Sequence, residues 1–139
     1  MKMCFLLCFL SISLLSIYCG NSNNSESTSP SEDVAEIKFI QDTIDVGVIE
    51  AGKIATLSFH FKNTGNKPLN ISYAKGNCHC VQPKWPESAI APGDSSVLDV
   101  SFDPENVKGL FVRTLYVLSN AKTDSVNLVF QGDIQDHSN

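Results

Sequence analysis

From residue 37 onward, apolar and polar side chains alternate with a period of two along several stretches of the chain. The clearest stretch is residues 56–62, where the two phases are Leu57, Phe59 and Phe61 against Ser58, His60 and Lys62. This alternation is typical of a β-strand with one face on a core and the other in water. No stretch keeps the apolar spacing of an amphipathic helix, so the folded part is predicted to be all-β.

Residues 97–103 and 125–130 repeat this alternation, and strand-like runs lie at residues 43–49, 69–74 and 110–118. Turn-forming residues separate these runs, which favours a single domain, an immunoglobulin-like β-sandwich of about seven strands over residues 37–133. Residues 110–118 are apolar on both phases apart from Arg113 and Thr114. We therefore expect an interior strand there, not an edge open to strand addition, and the pattern leaves the face of Arg113 open.

Before this domain the chain has an apolar run of 16 residues, 3–18, that follows Lys2 and stops at Cys19-Gly20. The run is shorter than the roughly 20 residues of a membrane-spanning helix, and it fits a signal peptide. Residues 21–36 are polar and lack aromatic side chains, which predicts a flexible tether. A cysteine at this junction resembles the bacterial lipoprotein signal. We therefore predict a signal peptide at residues 1–19, lipid on Cys19 and a disordered polar tether at residues 20–36; the alternative is an ordinary secretory signal that is cleaved nearby.

These features predict a cell-envelope protein, held to a membrane through its lipid anchor on the periplasmic or the surface side. The net charge is −5 and becomes about −6 without Lys2, because 9 basic residues then stand against 15 acidic ones. Nucleic-acid binding needs the opposite balance, so that class of partner is excluded. Residues 134–139, which include His137, are predicted to be a polar tail.

An ordered set of short motifs runs through the predicted domain: Asp45-Val46-Gly47, residues 59–65 with Asn63-Thr64-Gly65, Pro68-Leu69-Asn70-Ile71, Cys78-His79-Cys80, Pro92-Gly93, Gly109 and Ser119-Asn120. The set resembles the bacterial domain of unknown function 1573 family over about residues 37–133. The resemblance implies a fold similar to the immunoglobulin-like modules of major sperm protein and of pilus chaperones, and it implies no activity. Family members usually carry Cys-Gly-Cys-Thr where this chain has Cys78-His79-Cys80-Val81.

Cys78 and Cys80 are the candidate thiol site. On a straight strand their Cα atoms lie up to about 6.8 Å apart, so a disulfide between them needs a bent backbone. The sequence leaves four readings open: a disulfide with a structural role, packed or exposed thiols, a redox function, and a metal site. Metal is the weakest of these, because a structural zinc site needs four ligands and His79 would point to the opposite face of the strand.

Trp85 lies in an irregular stretch, where it either caps the end of the sandwich or serves as a binding anchor together with His79. His60 falls on the polar phase of its strand, which indicates a surface histidine. No catalytic motif is present, so we predict a nonenzyme without a cofactor or metal. The predicted function is an envelope-displayed binding or assembly module for an unknown envelope protein or a glycan. The alternative is a periplasmic thiol-disulfide or metal-handling protein that uses Cys78 and Cys80.

Overall fold

The computed structural model describes residues 32–105 and 107–136. These residues form eight β-strands and their connections, and they contain no helix. The strands are β1 (Ile37–Phe39), β2 (Thr43–Glu50), β3 (Ala55–Asn63), β4 (Ile71–Gly76), β5 (Val81–Lys84), β6 (Ser95–Phe102), β7 (Gly109–Ser119) and β8 (Ser125–Gln135). The predicted all-β immunoglobulin-like sandwich is confirmed. Within these described ranges no helix is long and apolar enough to cross a membrane.

Two four-stranded sheets face each other, with strand orders β1-β3-β6-β5 and β2-β8-β7-β4. All pairs are antiparallel except β2 with β8, which is parallel. β7 lies between β8 and β4, so it is an interior strand, as the apolar run at residues 110–118 predicts. The inward phases of β3, β6 and β8 supply the most deeply buried side chains of the core, among them Phe59, Phe61, Leu98, Phe102, Leu128 and Phe130.

The sandwich has two ends, which we call the entry end and the far end. The entry end consists of residues 32–36 and the loops at 63–70, 90–94 and 119–124; the far end consists of the loops at 50–54, 77–80 and 103–105. β7 runs from the far end to the entry end, and its 11 residues correspond to a length of roughly 35 Å. A segment that enters at residue 32 is therefore separated from the far end by the full length of the strands.

Residues 32–36 are fixed at the entry end by backbone pairing. Ala35 is buried and forms a β-bridge with Ala121, and the N–H of Lys122 donates to the carbonyl of Ala35 at 2.9 Å. Gly65 allows the turn after β3 to touch this segment, since a Cβ added there would lie 2.3 Å from the carbonyl oxygen of Val34. The glycine of the Asn-Thr-Gly motif is thus explained by a close backbone approach.

Two exposed ion pairs add to this attachment. The Lys67 ammonium lies 2.9 Å from Asp33, and its hydrogen bond and then its charge lower the pKa of that carboxyl. The Lys122 ammonium lies 2.5 Å from Glu32, whose hydrogen bond and charge raise the pKa of Lys122. Both pairs are in water, where such contacts contribute little.

Asn63 is the one buried polar residue among the described positions, and it has no exposed surface. Its Nδ2 donates to the carbonyls of Lys67 (2.8 Å) and Ile90 (3.0 Å), while its Oδ1 accepts from the N–H groups of Gly65 (3.1 Å) and Glu36 (3.4 Å). One side chain therefore joins three loops at the entry end, with every polar atom of its amide satisfied.

The sandwich extends slightly beyond residues 37–133. Ala35 is part of the buried core, and β8 continues to Gln135 because Ile134 keeps the inward phase of Leu128 and Phe130 and is buried. The predicted signal peptide, Cys19, the tether up to residue 31, and His137 with the last two residues of the predicted tail lie outside the described residues.

Candidate functional site

A disulfide joins Cys78 and Cys80 in the connection that leads from β4 in one sheet to β5 in the other. The two Cα atoms are 5.2 Å apart, which is closer than a straight strand allows. The backbone bends here, and the N–H of Val81 donates to the carbonyl of Cys78 at 3.3 Å. The bend that the sequence requires for a disulfide is therefore present.

Both cysteines are half-buried and pack against the core, whereas His79 between them is exposed. The carbonyl of His79 accepts a hydrogen bond from Gln82 Nε2 at 3.0 Å. Among residues 32–105 and 107–136 there is no group of three or more potential metal ligands. On reduction the disulfide can accept two electrons and two protons and become two thiols.

Trp85 is half-buried and packs against the core cluster, which matches the capping alternative more closely than a free-standing anchor. His60 is exposed on β3, opposite Val97 of β6. Trp85 follows β5 and His60 lies on β3, so apart from the two cysteines only His79 lies in the turn that carries the disulfide.

Arg113, whose face the sequence leaves open, takes the inward phase of β7. Its guanidinium carbon lies 5.8 Å and 5.9 Å from the ring centres of Phe102 and Phe111, a distance typical of cation–π contacts. Its Nη1 donates to the carbonyl of Val112 at 3.0 Å, while its buried Nε has no hydrogen-bond partner. The aromatic rings thus hold this cation at the margin of the core.

The outer face of the β2-β8-β7-β4 sheet carries a group of exposed apolar side chains, which we call the outer patch. Its members are Val48 on β2, Tyr73 on β4, and Leu110, Val112 and Tyr116 on β7. Leu110 is 87% exposed and Val112 is 56% exposed, although both belong to an interior strand. Apolar side chains grouped on one sheet face in this way are typical of an interaction surface.

Part of the outer patch borders an open depression of about 410 Å³, a volume in the range of ligand sites. The strand register sets two rows of side chains beside it: Val48, Asp133 and Leu110 in one row, and Asp45, Gln131 and Val112 in the other. The residues between these two rows, which also line the depression, are Gly47, Gly132 and Phe111.

Two glycines shape this region. Gly47 has a φ of +69°, and it lies where a bulge interrupts the pairing of β2 with β8. A Cβ at Gly132 would lie 2.6 Å from the carbonyl oxygen of Gly47 and 3.1 Å from the Phe111 ring. The bulged backbone therefore approaches β8 only because position 132 has no side chain.

The two carboxylates beside the depression are held in place by hydrogen bonds. Asp45 Oδ1 accepts from the N–H of Gly47 at 2.8 Å and Oδ2 accepts from Gln131 Nε2 at 3.4 Å, whereas Asp133 accepts from Gln135 Nε2 at 2.8 Å. Neither carboxylate takes part in any of the ion pairs found within the described ranges. None of the described residues that line the depression is basic.

The outer patch was not identified as a candidate site from the sequence. A signal was present, because residues 110–118 are apolar on both phases. An interior strand buries only one of its faces when the sheet is open on the other side, so the second apolar phase is the one that is exposed.

The fold of this sandwich is similar to that of several solved structures, among them a PapD-like domain. A protein of unknown function from Porphyromonas gingivalis W83 is similar with a TM-score of 0.66 and 15% identity, over 74% of this chain and 48% of that one. PapD-like domain 7 of human CEP192 has a TM-score of 0.58 and 11% identity, with 77% and 90% of the two chains covered. The YadV chaperone has a TM-score of 0.55 and 11% identity, with 72% and 52% covered.

These identities show the fold alone, and the chain spans about half the length of the P. gingivalis structure. No curated protein sequence matches the chain. Residues 37–134 match the family described as "Protein of unknown function (DUF1573)", which confirms the resemblance carried by the ordered motifs. Because this match covers well over half of the sequence, the chain belongs to the DUF1573 family.

Proposed function

We propose that this chain is an exported envelope protein, anchored to a membrane by lipid on Cys19, whose sandwich binds another protein through the outer patch. Export and anchoring are supported by the apolar run at residues 3–18, the Cys19-Gly20 junction and the polar stretch after it. The observation that carries the binding role is the exposure of Leu110 and Val112 on the outer face of an interior strand. The proposal assigns no reaction to the chain.

The edge strands of the two sheets are poorly suited to pairing with another strand, which makes a sheet face the better candidate for the binding surface. β1 has only three residues, and β5 contains Pro83, which lacks a backbone donor. The pairings of β2 and β4 with their neighbours are each interrupted by an irregularity. Edges of this kind are poor templates for an added strand.

The depression lies at the end of the sandwich that is farther from the proposed membrane anchor, which supports a role in binding a partner. Leu110 and Asp133 lie near the far end, whereas the chain enters the sandwich at residue 32 at the entry end. A tether of about 12 residues, 20–31, would span on the order of 20 Å, so the far end would stand well clear of the lipid surface.

The test is proximity labelling with a labelling enzyme fused to the full-length protein in its native envelope. The double variant Leu110→Ser with Val112→Ser removes two aliphatic side chains, and Ile54→Ser is the matched control because Ile54 is an exposed apolar residue outside the patch. We expect specific protein neighbours to be lost only in the double variant. An identical set of neighbours in all three proteins would refute the proposal, and neighbours that disappear after glycosidase treatment would indicate a glycan partner instead.

A second candidate function is thiol–disulfide exchange, which is favoured by the half-buried disulfide in a surface turn. Replacing Cys78 and Cys80 with serine separates the two candidates. The binding proposal expects a folded domain with unchanged neighbours, whereas the exchange proposal expects loss of function in a protein that still folds.

A further inference from the structure

We propose that the depression on the outer face binds a polypeptide segment in which an aliphatic side chain lies next to a lysine or arginine. The inference rests on the proposed function and specifies the chemistry of its partner. Its basis is the combination of three exposed aliphatic side chains with two carboxylates that take part in none of the ion pairs within the described ranges.

The first step is the apolar contact. Val48, Leu110 and Val112 border the depression from two strands that are separated by β8. Neighbouring strands lie about 4.8 Å apart, so the backbones of β2 and β7 are roughly 10 Å apart. The depression has a volume of about 410 Å³, which is large enough for a branched aliphatic side chain. Covering these side chains removes apolar surface from water and supplies the affinity.

The second step is the charge. Asp133 lies in the row between Val48 and Leu110, and Asp45 lies in the next row. A carboxylate offers about four acceptor positions, and the hydrogen bonds to Gly47, Gln131 and Gln135 occupy only some of them. A cation that reaches either carboxylate therefore gains a charge-assisted hydrogen bond from an acceptor that is already oriented.

The same charges argue against three other occupants. A second copy of the chain packed depression to depression through a twofold axis would bring the Asp45 and Asp133 carboxylates of one copy toward those of the other. The stretch at residues 21–36 carries only acidic charges, among them Glu26, Glu32 and Glu36, so the tether of another copy would also be repelled. An anionic lipid surface would be repelled for the same reason.

The experiment uses the full-length protein in detergent and four nine-residue peptides with the same Gly-Ser background. The peptides carry Leu and Lys, Leu and Glu, Ser and Lys, or Ser and Glu, in each case one residue apart. Binding is measured by fluorescence anisotropy at 50 mM and 500 mM salt. We expect the Leu and Lys peptide to bind at least tenfold more tightly than the other three, and to weaken about threefold at the higher salt.

Variants assign the two parts of the site. Leu110→Ser should weaken the binding of the Leu and Lys peptide about tenfold, because it removes one of the aliphatic side chains beside the depression. Asp45→Asn with Asp133→Asn keeps the shape and should abolish both the preference for lysine and the salt dependence. Ile54→Ser should change nothing, since Ile54 lies outside the depression.

Three results would overturn the inference: no binding of any peptide at millimolar concentration, equal binding of the lysine and glutamate peptides, or a lysine preference that survives in the double asparagine variant. The proposed function is judged separately by proximity labelling. If labelling still depends on Leu110 and Val112 but does not change in the double asparagine variant, the patch binds its partner without the cation. If labelling does not depend on the patch at all, the proposed function itself is wrong.

Discussion

The amide of Asn63 offers the sharpest test of how the entry end is held together. Asn63→Ala removes four side-chain hydrogen bonds from a position without exposed surface. The carbonyl of Ile90 keeps a second donor, the N–H of Leu69 at 2.9 Å, but the Gly65 and Glu36 N–H groups lose these acceptors. At about 1 kcal/mol for each net hydrogen bond, with some water entering the part-buried positions, the free energy of unfolding should fall by about 3 kcal/mol.

Asn63→Asp separates hydrogen bonding from volume, because the two side chains have nearly the same shape. The introduced carboxylate can still accept from two N–H groups, but it faces the carbonyl oxygens of Lys67 and Ile90, to which the native amide donates. We expect a loss of about 4 kcal/mol at pH 7. Burial and these carbonyls raise the folded-state pKa of the new carboxyl above its unfolded value of about 3.9.

The pH dependence follows from the direction of that change in pKa. A group with a raised folded-state pKa destabilises the protein above that pKa and does so progressively less as the pH falls toward the unfolded value. A tenfold difference between the folded-state and unfolded-state acid dissociation constants corresponds to about 1.36 kcal/mol. The free energy of unfolding that Asn63→Asp loses relative to the native protein should therefore decrease from about 4 kcal/mol at pH 7 to about 2 kcal/mol at about pH 4.

Urea unfolding, followed by circular dichroism and by the fluorescence of Trp85, the only tryptophan, measures these differences. Asn127→Asp is the control, because Asn127 is exposed on β8, and we expect it to change stability by less than about 0.5 kcal/mol at either pH. The reasoning is refuted if Asn63→Ala costs less than about 1 kcal/mol, or if the deficit of Asn63→Asp is the same at both pH values.

Three further predictions concern other parts of the sandwich. Replacing Cys78 and Cys80 with serine should lower the free energy of unfolding by only about 1.6 kcal/mol, because the disulfide closes a loop of three residues. Urea unfolding measures this difference, and a loss above about 4 kcal/mol would contradict the prediction. Gly132→Ala should lower the free energy of unfolding by about 3 kcal/mol, because its methyl group would clash with the bulged backbone of β2. Gly47→Ala should lower it by only about 1 kcal/mol, because position 47 has free space around it but a positive φ. The reverse order would show that the close approach at Gly132 is unimportant. Because the pKa of Asp33 is lowered, its ion pair stabilises the entry segment above the unfolded pKa of about 3.8 and is lost as the pH falls through the folded-state value. The protection factors of the amides at residues 32–36, which compare the observed exchange rate with the intrinsic rate at the same pH, should therefore decrease below a pH of about 3.8 in the native protein and decrease less in Asp33→Asn.

Most strands could be predicted from the sequence because one face of each is buried and the other is in water. That contrast places Leu57, Phe59 and Phe61 on the inner face of β3 without any knowledge of the partner strands. β1 could not be located because three residues are too few to show a period, and β5 could not be located because Pro83 looks like the end of regular pairing.

The candidate site could be predicted only in part, for a different physical reason. Two cysteines two positions apart are visible as a local motif, and the bend at Cys78 and Cys80 depends on nearby residues. The depression depends on the register of β2 with β8, which brings Asp45 beside Gln131, 86 positions later in the chain. Nothing local encodes that neighbourhood, and apolar residues on both phases of β7 do not reveal which phase is exposed.

The attachment of residues 32–36 at the entry end determines how the sandwich responds to mechanical load. A pull between that segment and a partner held at the far end acts along the strands, so the ten registered residue pairs of β7 and β8 share the force instead of separating one after another. The entry segment itself is held by the Ala35–Ala121 bridge, a few backbone hydrogen bonds, hydrogen bonds to the side chains of Asn63 and Asn66, and two ion pairs in water. Under tension this segment should peel away first and lengthen the connection, while the sheet that carries the outer patch stays intact.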